Sequence, residues 1–329
     1  MKLIRLLFLL IFLIPTTAGA QNFSKVGTTG YAFLELPVSA RTAGIGEASV
    51  ALTDANADAV FINPALLGFM SHTHVAQVSF ANWLAETRHE AISYAINLEN
   101  IGMFGMSIVR LDMGTMQGTV NADPTRPGSY ILTSTFSADA IAVGLSYARR
   151  LTDRFAFGGT VKYVREGISD VQDINDASGT TNYSSTNVVF DAGVLYFTGF
   201  GSLRIAANIR DFGVDSKYIG DTFKMPTALR LGAAIEIFGD AEAPQRLTAT
   251  LEALHPSNHA ERVNVGVEYW FQNLLALRAG YKYNYDEERI AAGIGLRWMG
   301  LGAPLEFDAS YTGYGHLGSV VRLTLQAAF

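Results

Sequence analysis

The side chains with the greatest chemical reach in this chain are few. Six histidines stand at His72, His74, His89, His255, His259 and His316. The spacings His72-x-His74 and His255-x-x-x-His259 can in principle chelate a metal, but no cysteine is present to complete either pair. They read as solvated histidines at the ends of elements, and no metal site is assigned. A hydrolase needs a nucleophile, a base and an orienting group within mutual reach. No Gly-x-Ser-x-Gly accompanies these histidines, so no catalytic residue and no cofactor are assigned, and the chain reads as a non-enzyme. The remaining candidates are charges that must be held away from water, first among them Arg41, Glu47 and Asp54.

Those three lie in Gly27–Met70, a stretch that avoids the two-residue alternation found nearly everywhere downstream. Gly44, Gly46, Ala43, Ala48 and Ala51 crowd small residues into its middle, as a backbone requires when it lies close against other backbone. Asn63-Pro64-Ala65-Leu66-Leu67-Gly68 reads as one helical turn, with Asn63 as N-cap, Pro64 at the first helical position and Gly68 as a left-handed stop. The stretch is expected to form a compact plug in a tight enclosure. Arg41 and Asp54 would lock it to inward charges of the enclosing wall, because an isolated buried charge is costly; a gate opened by competition for those pairs is the other reading.

Composition says what the enclosure is. The chain is 49% hydrophobic and 16% charged, with 32 glycines, 14 tyrosines and 20 phenylalanines, where a soluble domain carries about 25% charged residues. Met1–Ala20 has Lys2 and Arg5, an apolar run and Ala18-Gly19-Ala20, the pattern of a cleavable secretory signal peptide. No later stretch approaches the ~20 apolar residues of a spanning helix. About fourteen segments alternate instead, as in Val188–Tyr196, Leu229–Ile237, Val263–Phe271, Ile290–Trp298 and Val321–Phe329. The expected fold is an all-β, antiparallel transmembrane barrel of about 14 strands with an N-terminal hatch inside it. The division is signal peptide 1–20, hatch 21–72 and barrel 73–329. A net charge of −6 without a basic stripe excludes nucleic acid as a partner.

The alternation also assigns faces. Lipid would meet Phe155, Phe157, Val161, Tyr163, Leu305, Phe307, Ala309 and Tyr311, with Trp83 and Trp298 near strand ends; the register of Trp270 points inward. The lumen would receive Lys162, Asp191, Arg204, Arg210, Arg230, Glu252, Glu268, Arg278, Arg297, Glu306, Asp308 and Arg322. Tight connections alternate with long polar ones at 112–136, 167–186 and 212–225, which implies short periplasmic turns, periplasmic termini and long extracellular loops. Met103, Met106, Met113 and Met116 could line a pocket or anchor a loop.

The run Phe33-Leu34, Ser39-Ala40-Arg41, Gly44, Gly46, Val50-Ala51, Asp54 and Asn63-Pro64-Ala65 resembles the N-terminal signature of the PorV/PorQ family. So does a second block, Leu254-His255-Pro256, Asn258, Arg262–Tyr269 and Ala276–Lys282. Members of that family resemble FadL-type fatty-acid transporters, in which the Asn-Pro-Ala element belongs to a hatch lodged in the barrel. The resemblance implies an outer-membrane component of the type IX secretion system in a Gram-negative cell. Its partners would be membrane lipid and secretion subunits or exported cargo. The terminal aromatic Phe329 resembles an assembly signal of outer-membrane proteins. The broader FadL resemblance implies the other reading, passive transport of a hydrophobic small molecule.

Overall fold

Two-residue alternation with one apolar face demands a sheet whose two sides meet different media, and closure removes its edges. The computed structural model describes residues 26–122, 125–126, 128–172, 179–240, 243–300 and 302–329. Fourteen strands close into one antiparallel barrel. They are β1 His74–Asn82, β2 Arg88–Leu98, β3 Gly102–Asn121, β4 Tyr130–Thr152, β5 Phe155–Gln172, β6 Thr180–Phe197, β7 Arg204–Gly213, β10 Ala228–Phe238, β11 Arg246–Pro256, β12 Arg262–Phe271, β13 Leu275–Tyr283, β14 Ile290–Gly300, β15 Ala303–Gly313 and β16 Ser319–Ala328. The short pair β8 Ser216–Lys217 and β9 Thr222–Phe223 forms a separate hairpin between β7 and β10. Each strand pairs with its sequence neighbour, and β1 closes on β16 from Val75↔Ala328 to Asn82↔Val321.

The outward face is apolar and the inward face polar. Phe157, Val161, Tyr163, Leu229, Leu231, Ile294, Leu296, Trp298, Leu323 and Leu325 are exposed on the outside. Lys162, Asp191, Arg204, Arg230, Glu252, Glu268, Arg278, Glu306, Asp308 and Arg322 are buried within. Trp270 is fully buried and faces the lumen. Trp83 does not join a lipid-facing belt: it packs edge-on against Tyr314, ring centroids 5.2 Å apart, beside Arg322. His89, the second residue of β2, is not solvated as expected. It sits on the inward face of β2 and is buried.

Four strands are much longer than the rest. A tilted spanning strand needs about 9–11 residues, and most here have 9 to 11. β3, β4, β5 and β6 have 20, 23, 18 and 18. Much of the expected loops 112–136 and 167–186 is therefore strand. Asp112↔Asp139 continues to Asn121↔Tyr130 past two compensating bulges, and Gly167↔Ser184 to Gln172↔Thr180 past a single one. At ~3.3 Å per residue, the roughly ten extra residues carry this sheet on the order of 30 Å past the barrel, as a four-stranded fin. Thr, Ser and Gly in that region look like loop composition, but threonine is a good strand former on a hydrated sheet.

Gly27–Met70 runs through the barrel as short helical pieces: Ala32–Glu35, Ala40–Gly44, Thr53–Asp58, Ala59–Ile62 and Pro64–Phe69. Val50, Val60, Leu66 and Leu67 pack against Ala95, Ala148, Leu195 and Ala234 of the wall. The described chain enters at the fin end, where Thr29 bridges Lys224 and Tyr31 donates its hydroxyl to Ser185 at 2.8 Å. Phe329 lies at the other end, its backbone doubly bonded to His74 at 2.7 and 2.9 Å. The plug thus threads the whole lumen. Phe329 stands at the tight-turn end and residues 26–31 at the opposite mouth.

Candidate functional site: the plug and the lumen wall

A plug without regular sheet leaves backbone donors and acceptors that must find partners in the wall. The Ala40–Gly44 helix starts on Ser39, whose Oγ accepts from the Thr42 amide at 3.1 Å. It ends at Gly46 and Glu47, both in left-handed conformation, with the Glu47 amide donating to the Thr42 carbonyl at 2.9 Å. Gly46 there lies directly on the wall: a Cβ on Gly280 would come 2.1 Å from the Gly46 nitrogen. Gly44 makes a similar approach to Gly293, where an added Cβ would lie 3.1 Å from its Cα. The alternation of small residues on β13 and β14 is what admits the plug backbone.

Charges surround this contact. Arg41, on the helix, meets Glu268 of β12 in a bidentate pair, Nε to Oε2 at 2.9 Å and Nη2 to Oε1 at 2.8 Å, and also donates to the Asp54 carbonyl. Glu268 accepts from Arg278 as well, at 2.6 Å. Arg278 in turn reaches Asp308 and, at 3.4 Å, Glu306, which Arg297 holds at 3.0 Å. The Trp270 ring lies beneath three guanidiniums, those of Arg297, Arg246 and Arg278 at 4.2, 5.3 and 5.7 Å from its centroid, within cation–π range. Asp54 pairs with Arg246 at 2.8 Å.

Other wall groups hold plug backbone. Glu252 Oε2 accepts from the amides of Ser49 and Val50 at 3.0 and 2.9 Å, while its Oε1 takes Arg230 Nε at 2.5 Å. Arg230 also donates to the Glu47 carbonyl, and Lys282 Nζ pairs with the Glu47 carboxylate at 2.7 Å. Arg204 Nε donates to the Ala51 carbonyl at 2.9 Å and is neutralised by Glu236 at 2.8 Å. Asp191 serves the wall itself, sharing Lys162 with Asp211. Charges of both signs arranged this way satisfy each other and the plug, as burial requires.

Asn63-Pro64 seats the lower half. Asn63 Oδ1 caps the Ala65 amide at 3.1 Å, and its Nδ2 bridges the carbonyls of Val50 and Val194 at 3.1 and 3.3 Å. Space for it comes from the wall: a Cβ on Gly193 would lie 2.0 Å from Asn63 Oδ1, and one on Gly158 2.6 Å from the Pro64 carbonyl carbon. Gly68 is not the left-handed stop expected, since the turn runs on to Phe69 and ends at Met70 with φ −63°. It is small because a Cβ there would come 2.6 Å from that of Ala156.

Sequence reasoning missed Arg246 and Lys282 as wall partners. The even register of β11 and β13, shared with Glu252 and Arg278, would have found both. It also missed Asp58, a plug carboxylate that accepts from Ser39, from Thr42 at 2.9 Å and from Gln77 at 3.3 Å. Burial pushes the Asp58 carboxyl above its usual value, and those three donors offset the rise only in part. The four methionines do not assemble: Met103 is buried against the plug, Met106 faces outward, Met113 packs against the cluster around Tyr31, Phe33 and Leu34, and Met116 lies half-buried farther along β3. Cavities follow the same logic. A vestibule of about 480 Å³ opens at the tight-turn end, where Asp54, Arg246 and Arg297 stand among Phe69, Met299 and Pro304, while two spaces nearer the fin hold about 60 and 20 Å³. An apolar hollow of about 440 Å³, lined by Ala207, Leu231 and Leu251, lies on the outer, lipid-facing surface.

The fourteen-strand barrel with an apolar belt and a helical N-terminal plug defines an outer-membrane protein of FadL-like fold. Solved structures agree. A Pseudomonas aeruginosa FadL homologue superposes with a TM-score of 0.56 at 13% identity, over 89% of this chain and 98% of that one. The Pseudomonas putida toluene transporter TodX gives 0.58 at 13%, over 87% and 98%. The CymD monoaromatic hydrocarbon channel gives 0.58 at 12%, over 89% and 97%. No curated protein matches by sequence. Residues 19–256 match the family of the type IX secretion system protein PorV, and the chain belongs to that family.

Proposed function

We propose that this chain is a non-enzymatic component of type IX secretion that binds exported proteins or partner subunits at its fin end. In this reading residues 1–20 are a cleaved signal peptide and the fin end is extracellular. The plug, locked by Arg41, Gly44, Gly46, Asp54, Asn63 and Pro64, seals the lumen, and Phe329 is read during assembly. The observation that carries it, beside family membership, is the fin: four strands extend far beyond what a membrane requires, at the mouth opposite the tight turns. A sealed lumen suits a docking protein. The wall charges Glu268, Arg278, Arg297, Arg230, Arg204 and Asp191 are all spent on the plug or on one another.

The FadL-like fold favours a second reading, a passive transporter of hydrophobic small molecules. Such a role calls for a largely apolar pocket of roughly 300–1,000 Å³ on the path. The large space inside the barrel is a vestibule where the charges of Asp54, Arg246, Arg297 and Glu306 stand among Phe69, Met299 and Pro304, and the hollow that is apolar throughout faces lipid. Isolation of the protein in mild detergent from its own membrane, followed by mass spectrometry, separates the two. Stoichiometric secretion subunits or surface proteins, together with stranding of surface proteins in the periplasm on deletion, are expected. A bound fatty acid or similar molecule without a protein partner would replace the secretion role by transport.

A further inference from the structure

The two sides of the fin are unlike. β2 pairs with β3 only as far as Arg88↔Asp112, so among the described residues β3 beyond that point has a strand neighbour on the β4 side alone. The opposite side, on β6, is covered in its lower half. Val189↔Gly213 is the last pair with β7, above which Asn187 donates to the Val214 carbonyl at 2.7 Å and Ser185 bonds Ser216 at 2.6 Å. A sheet edge presents a row of backbone donors and acceptors, and proteins ordinarily blunt such edges with lysine, proline, charge or a bulge. Thr115–Val120, Thr-Met-Gln-Gly-Thr-Val, contains no charge and no proline. The extra residue of β3 lies before this stretch, between Asp112 and Thr115, and the second irregularity places its extra residue on β4. The edge is therefore continuous over six residues.

Hydrogen-bond alternation identifies which amides point outward. The Ala122 amide donates to the Ser129 carbonyl, which makes 122↔129 a bonded pair. Successive pairs alternate in an antiparallel ladder. Val120↔Ile131 is then bonded, and Thr119↔Leu132 is not, so the amide and carbonyl of Thr119 face away from β4. The side chains divide as well. Met116 and Val120 lie half-buried on one face with Phe136, while Thr115, Gln117 and Thr119 are exposed on the other.

We propose that Thr115–Val120 of β3 is a strand-addition site whose occupant is an extended segment of an exported protein. This rests on the secretion role proposed above. The segment pairs backbone to backbone with β3, as in other complexes that extend a sheet edge. It is an amphipathic strand, with apolar residues beside Met116 and Val120 and small polar ones beside Thr115, Gln117 and Thr119. Being uncharged, the edge selects on alternation, which suits a surface that must accept many exported chains.

The test uses the tagged, full-length protein isolated from its own outer membrane with whatever proteins accompany it. Hydrogen exchange of the peptide covering 115–121 is compared before and after those proteins are stripped by salt. Protection is expected to be about tenfold or more higher with the partners in place. In parallel, Thr119→Pro removes an outward amide without breaking a β3–β4 bond, so the barrel should remain heat-modifiable on gels. The variant should retain about one tenth or less of the co-isolated protein. If partners accompany the wild type yet 115–121 exchanges equally in both states, strand addition is wrong and the secretion role stands. If no protein accompanies the wild type, both fall.

Discussion

At the scale of single residues, the plug is held by charge pairs whose partners come from different elements. Arg41→Ala leaves Glu268 with Arg278 alone and leaves the Asp54 carbonyl without its donor. Breaking a buried pair in this way costs about 3–5 kcal/mol. The expected result is a plug cut by added protease in detergent while the barrel remains folded, and Arg41→Lys should rescue only in part because the bidentate geometry is lost. Asp58 gives a second prediction with a definite sign. Its pKa in the folded protein lies above the unfolded value, so the folded state binds more protons in the interval between the two. The Asp58 contribution is thus most favourable below the unfolded pKa and is lost as pH rises through the folded one. Asp58→Asn keeps the shape and removes the titration. The plug of that variant should resist protease at neutral pH at least as well as wild type, and the part of its pH dependence due to this group should vanish. A variant plug that loosens at neutral pH would mean that the ionised carboxylate is what Ser39, Thr42 and Gln77 require.

At the scale of elements, the seating of plug on wall depends on backbone approach. Gly280→Leu inserts a side chain where even a Cβ meets the Gly46 nitrogen at 2.1 Å, and neither β13 nor the tight Gly46-Glu47 turn can yield locally. Displacement of the Ala40–Gly44 helix is expected, read as ion conductance in planar bilayers above that of the wild type; Leu277→Ala, at a lipid-facing position of the same strand, is the control and should leave conductance unchanged. These elements were unequally legible in the sequence. The barrel strands were readable because one side meets lipid and the other does not, which imposes a period of two. The plug was readable as a break in that period, and Asn63-Pro64 as a turn with a cap. Gly68 was misread because its role is set by Ala156, eighty-eight residues away, and no local pattern reports such a contact. The fin was misread as loop because both of its faces see water over much of its length, which removes the apolar contrast that marks a strand.

At the scale of the whole molecule, the chain closes on itself through one seam and carries one extension. The seam joins β1 to β16 and finishes at Phe329, whose ring stacks on His74 at 5.6 Å between centroids while its backbone pairs with the same residue. Deletion of Phe329 removes the last pair of the closing ladder together with the terminal aromatic. A fall in the amount of heat-modifiable protein in the outer membrane is expected, larger than for Phe329→Tyr. The extension is separable from the seam. Below Asp112↔Asp139 the pairing of β3 with β4 is regular down to Met103↔Ala148, and the plug contacts of β4 lie in that part. Excision of residues 114–137, with Asn-Gly joining Met113 to Ala138, therefore takes away half the fin and none of the barrel. The two-residue turn suits an antiparallel hairpin of this twist. Folding and membrane insertion should be unchanged by heat-modifiability, whereas surface proteins are expected to accumulate in the periplasm, as is also expected on deletion of the whole chain. Normal export by this variant would place the binding surface elsewhere, on the β5–β6 half of the fin, the β8–β9 hairpin or the lipid-facing wall, and would assign the β3–β4 half no part in secretion.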